Sequence, residues 1–94
     1  MSTIKELVAV EGATVIDVRG SWEFESGHVN GAINIPLDEI PMALDEIKDM
    51  KQPIIVYCRS GNRSAMAQQF LMQGGIARVV NGGGLGDMQI ALMQ

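Results

Sequence analysis

The residues with the greatest chemical potential lie in Tyr57-Cys-Arg-Ser-Gly-Asn-Arg-Ser64, where the only cysteine of the chain has Arg59 and Arg63 close by. Cysteine acts as a nucleophile in its thiolate form, which is favoured beside cationic side chains and at helix N-termini. The loop from Arg59 to Ser64 can wrap backbone NH groups around the sulfur, and a helix starting near Ser64 adds its own free NH groups. Gly61 supplies a residue that tolerates positive φ or close backbone approach. The expected group is thus an activated thiolate in an anion cradle, titrating below the usual value of about 8.5. A free cysteine that merely closes a buried strand would not need two arginines and a glycine around it.

Composition narrows what that thiolate can do. With one cysteine and one histidine, the 94-residue chain has neither an intramolecular disulfide nor a typical tetrahedral zinc site. No metal or cofactor is expected. The length suits a single domain over residues 1–94, and the 47% hydrophobic content suits a soluble globular protein. A net charge of -4 argues against general nucleic-acid binding, which depends on neutralising phosphates with Lys and Arg. Within that acidic background the arginine pair beside Cys58 is a local positive spot suited to a small anion. The opening MSTIKELVAVEGATVIDVRG lacks a basic region followed by a long apolar stretch, and no segment approaches bilayer-spanning length. No membrane association is expected, and a cytoplasmic location, where the thiol stays reduced, is.

The elements that must hold Cys58 in place alternate along the chain. Thr3 and Glu6 fit a capping box opening a short helix to about Val10, and Ala13 to Asp17 reads as a β-branched strand. A polar segment from Val18 to Gly31 should be loop, with one helical turn around Trp22 to Glu25. Ala32 to Ile35 reads as a second strand. Ile40, Ala43, Leu44 and Ile47 then follow helical spacing, which predicts a helix over 37–50 with Pro41 in its first turn. Pro53 to Tyr57 is a continuous apolar run of the kind buried on both faces of a parallel sheet. Ser64 to Gln73 should be a helix burying Met66, Ala67, Phe70 and Leu71, ended by Gly74 and Gly75. Ala77 to Val80 reads as a fourth strand, Asn81 to Gly84 as a turn, and Leu85 to Met93 as a last helix. The sum is an α/β fold: one compact domain with a mostly parallel sheet of four to five strands flanked by helices. In such sheets ligands bind beyond the carboxyl ends of the strands, which is where Cys58 falls.

Competing chemistries are open at this point. His28, the only histidine, could pair with Cys58 for acyl transfer, but no third-residue motif accompanies it, and packing within its loop is the simpler role. Cysteine phosphatases also wrap a backbone loop around a thiolate and end it with arginine. Their pattern has five residues between Cys and Arg, whereas Cys58 and Arg63 enclose four. The tighter loop suits a single sulfur atom better than a tetrahedral phosphoryl group.

Two stretches in order, VIDVRGSWEFESGHVNGAINIP from Val15 to Pro36 and CRSGNRS from Cys58 to Ser64, resemble the small single-domain members of the rhodanese family of sulfurtransferases. The resemblance implies that Cys58 is the nucleophile, taking sulfur from an anionic donor such as thiosulfate and holding it as a persulfide. The acceptor would be cyanide in an assay and a thiol or thioredoxin-like protein in the cell. It also implies that Arg59, Ser60, Gly61, Asn62, Arg63 and Ser64 form the donor-binding loop. Asp17, Arg19, Glu23 and His28 match the family signature and read as structural support, with Asp17 and Arg19 placed for charged hydrogen bonds between loops. A different class of function compatible with the same residues is a persulfide carrier or regulatory module loaded by a protein partner. One departure is Met88, where the family usually has tryptophan after a Gly-Gly turn; packing there should differ, and a flexible thioether should shape the neighbouring surface less rigidly than an indole. GGGLG does not fit a dinucleotide fingerprint and reads as a plain turn.

Overall fold

Ile54–Cys58 (β3) is the strand around which the molecule is organised, and all five of its residues are buried. The computed structural model describes residues 3–93. Thr14–Asp17 (β1) and Val79–Gly84 (β4) flank β3, and Ile33–Asn34 (β2) lies outside β1, giving the order β2-β1-β3-β4 with every pairing parallel. The sheet expected from the sequence is therefore present with four strands. Side chains of a strand alternate between faces. Ile54, Val56 and Cys58 join one core with Ile16, Ile47, Ala67 and Leu71, while Ile55 and Tyr57 join the other with Leu7, Val15 and Met88. Burying each such aliphatic side chain contributes roughly 1.5–3 kcal/mol. The same alternation turns Cys58 toward the face that carries the helix following β3.

That helix, Asn62–Gln73 (α4), is joined on its side of the sheet by Leu44–Lys48 (α3). Ile4–Ala9 (α1) and Leu85–Met93 (α5) contact each other on the opposite side, and Ser21–Glu25 (α2) lies between β1 and β2. The Thr3 and Glu6 capping box is formed. Among the described residues, no helix is long and apolar enough to cross a membrane.

Three expectations are corrected. The helix over 37–50 is instead two 3-10 turns, Leu37–Glu39 and Pro41–Ala43, followed by α3. Pro41 lacks the NH that a continuous helix would need and falls at the first position of the second turn. Ile40 and Ile47 still reach the core, so the apolar spacing was a true burial signal attached to a broken element. Within α4, Met66 and Phe70 are exposed, and the inward stripe is Ser64, Ala67 and Leu71. Ser64, buried against Cys58, occupies the inward position one turn before Ala67. Lastly, Asn81 to Gly84 is strand, not turn. Val56 pairs with Asn81 and Cys58 with Gly84, so two steps along β3 match three along β4. One extra residue makes a β-bulge, and glycine tolerates that irregular backbone.

Candidate active site

The loop after β3 is shaped by Gly61 at its far end and Gly84 beneath it. Gly61 adopts φ 99°, a left-handed conformation that glycine takes without a side-chain clash, and serves as the N-cap of α4. Gly84 lies so close to the Arg59 carbonyl that a Cβ there would overlap the carbonyl oxygen. The bulge in β4 brings this bare backbone against the loop, which is how the sheet supports a turn this tight.

Within the loop, the NH groups converge on sulfur. The Gly61 NH donates to Cys58 Sγ at 3.0 Å, and the Ser64 hydroxyl lies 3.4 Å from it. Burial by itself would push the Cys58 thiol up. Hydrogen bonds from the Ser64 hydroxyl and from the backbone NH groups of Ser64, Ser60 and Gly61 outweigh that effect and bring it down to about 7. The direction agrees with the sequence reading; the cause differs in that the cradle, rather than the arginine charges, dominates. At neutral pH this gives a substantial thiolate fraction without a histidine base.

Asn81 binds the cradle to the sheet. Its Oδ1 accepts from the Ser64 hydroxyl at 2.7 Å and from the Gly83 NH at 2.9 Å, while its Nδ2 donates to the Gly61 carbonyl at 3.2 Å. Asp87 adds a further tie by accepting from the Gly84 NH at 2.8 Å. Neither residue was singled out from sequence. The only signal was an asparagine followed by three glycines, and that pattern reads equally well as a turn.

Ser64 therefore has one hydroxyl proton with two acceptors, Asn81 Oδ1 and the Cys58 sulfur. Removing the hydroxyl with Ser64→Ala is expected to raise the Cys58 pKa by about one unit, the scale of one hydrogen bond to a charged group. Thiolate at pH 7 would drop from roughly half to roughly a tenth of the protein. The loss should be recovered near pH 9, and the pH dependence of iodoacetamide alkylation measures it directly. An unchanged midpoint would contradict the cradle as the source of the depressed pKa.

The remaining predicted positions separate into two groups. Arg59 is exposed beside the loop, whereas Arg63 is tied to Glu23 by paired bonds of 2.8 and 3.1 Å. That contact holds the Glu23 carboxyl down at about 2 and raises Arg63. Asp17 is fully buried and receives the Arg19 guanidinium at 2.7 Å; Arg19 also donates to the Gly27 carbonyl at 2.7 Å and lies over the Tyr57 ring. His28 is exposed, stacks on Phe24 and places Nδ1 2.8 Å from the Phe24 carbonyl. Among the described residues no hydrogen bond joins it to Cys58, so the acyl-transfer pair does not form. Met88 is fully buried in the second core, so the replacement of tryptophan there acts on packing rather than directly on a surface.

Comparison with known proteins gives a consistent result. Residues 2–85 match the family described as Rhodanese-like domain. The chain is 39% identical over 74 residues to "Thiosulfate sulfurtransferase PspE" of Escherichia coli (strain K12), covering 78% of this chain and 71% of that protein. A protein named "Sulfurtransferase" from Allochromatium vinosum is 37% identical over 85% of this chain and 74% of its own length. Among solved structures, one described as "rhodanese with anions from E. coli" superposes with a TM-score of 0.73 at 38% identity, covering 80% of this chain and 89% of the other.

Proposed function

The chain belongs to the rhodanese-like domain family, and from that premise we propose that it is a sulfurtransferase working through a persulfide on Cys58. The Cys58 thiolate attacks the outer sulfur of a sulfane donor such as thiosulfate. Its electron pair forms the new S–S bond, the donor's S–S bond breaks, and sulfite leaves with the electron pair of the broken bond. A thiophilic acceptor, cyanide in an assay or a thiol or thioredoxin-like protein in the cytoplasm, then attacks the outer sulfur and releases the Cys58 thiolate. Charge stays near the same atoms throughout, and fixed NH dipoles can serve thiolate and persulfide alike.

The observation that supports this reading most strongly is the Gly61 NH donating to Sγ itself, in a loop whose Ser60 and Ser64 NH groups also favour the thiolate. The decisive experiment is intact-mass measurement after incubation with thiosulfate. A gain of one sulfur that cyanide removes is expected. No gain with thiosulfate or with benzenethiosulfonate would overturn the proposal.

A further inference from the structure

The mouth of the Cys58 site presents less positive charge than its sequence suggests. Among the described residues, Arg59 has no carboxylate within ion-pair distance, but Arg63 is paired with Glu23 and Arg19 with Asp17. Glu23 grips Arg63 in parallel, Nη1 to Oε1 and Nη2 to Oε2, the geometry in which an arginine is most firmly oriented. Its Oε1 also accepts from the Gly20 NH at 3.0 Å, at the start of α2, so the carboxylate is anchored to backbone as well. Glu23 lines two depressions beside these arginines: one shared with Arg63, Asp38 and Trp22, the other with Arg59 and Arg19. Each places the carboxylate beside an arginine of the stretch that follows Cys58.

We propose that Glu23 is a specificity-determining residue whose carboxylate neutralises Arg63 and so favours sulfane donors carrying one negative charge over dianions such as thiosulfate. The inference rests on the sulfur-transfer reading above. Its physical basis is that Coulomb energy scales with the product of the charges. Removing one unit of positive field at the mouth therefore costs a dianion twice what it costs a monoanion. Benzenethiosulfonate is a suitable monoanionic probe, because the same attack on its outer sulfur yields the same Cys58 persulfide and releases benzenesulfinate.

The test compares kcat/KM for thiosulfate and benzenethiosulfonate in the wild type, Glu23→Gln and Arg63→Gln. Glu23→Gln keeps the side-chain size and a hydrogen-bond acceptor while freeing the Arg63 charge. It should raise kcat/KM on the order of tenfold for thiosulfate and threefold for benzenethiosulfonate, mainly through KM. The preference should shrink in about 0.5 M salt. Arg63→Gln leaves Glu23 as an unpaired carboxylate and should move the ratio between donors the opposite way. A purely structural role would change both donors by the same factor in both variants, and that outcome overturns the inference. If Glu23→Gln does not fold, the Arg63→Gln ratio decides alone. A wild type that accepts sulfur from neither donor overturns the sulfur-transfer reading and this inference together; loading from both donors with an unchanged ratio overturns only the latter.

Discussion

With Cys58 replaced by serine, sulfur transfer is expected to fall by at least about a thousandfold, as for loss of a covalent nucleophile. The cradle brings the thiol down to about 7, low enough to ionise near neutrality. A serine hydroxyl at the same position would stay protonated, and no histidine hydrogen-bonds to Cys58 to act as base. The oxygen also forms a shorter bond to carbon than sulfur does, so it draws back from the Gly61 NH that reaches Sγ at 3.0 Å. Serine is otherwise a small change, and stability should stay within about 1 kcal/mol of the wild type. Steady-state turnover with thiosulfate and cyanide, together with urea unfolding of the same samples, measures both. A folded serine variant with appreciable turnover would show that the sulfur travels by another route.

The largest effect on stability is expected from Asp17→Ala, at about 3–5 kcal/mol, the scale for removing one partner of a buried ion pair. Asp17 is fully buried at the end of β1, where it accepts the Arg19 backbone NH and the Arg19 guanidinium. Alanine would leave that guanidinium buried with only the Gly27 carbonyl as a hydrogen-bond acceptor. Arg19 also lies over the ring of Tyr57, whose hydroxyl accepts the Val29 NH at 3.1 Å, so the damage would reach the loop before β2 and the strand that ends in Cys58. In a domain of this size the midpoint of thermal unfolding should drop by roughly 15–30 °C. A drop of only a few degrees would mean that the pair contributes orientation and little net energy. Sulfur transfer, measured well below the new midpoint, should survive in part, because neither residue bonds to the sulfur.

The central strand, the helix after it and the thiolate between them were legible in sequence, because each carries a local signal. Ile54 to Val56 is an unbroken β-branched run, Gly61 marks the helix cap, and the cysteine stands at the join. What could not be read was of two kinds. The span from Leu37 to Met50 has apolar residues at helical spacing, and that pattern reports which side chains face inward without reporting whether the backbone is continuous. The segment from Asn81 to Gly84 has almost no side chains from which to judge. Its assignment as strand depends on β3 lying alongside it, a contact between residues more than twenty positions apart. A similar separation hid Asn81, whose two hydrogen bonds to the loop, with Ser64 and Gly61, form only after the chain has folded. Glu23 was recognised as a supporting residue, but its partner forty positions away was not, and with it went the charge balance of the site.

The bulge in β4 has a second consequence, which concerns the association of one molecule with another. β4 and β2 are the two edges of the sheet, and exposed edges are templates for pairing with strands of other chains. β2 is only two residues long. β4 is longer, but its extra residue breaks the regular spacing of hydrogen-bonding groups over its last three glycines. An invading strand would lose register there and find few side chains to grip. The irregularity that brings Gly84 beneath the sulfur loop thus also keeps the longer edge from acting as a seed for aggregation.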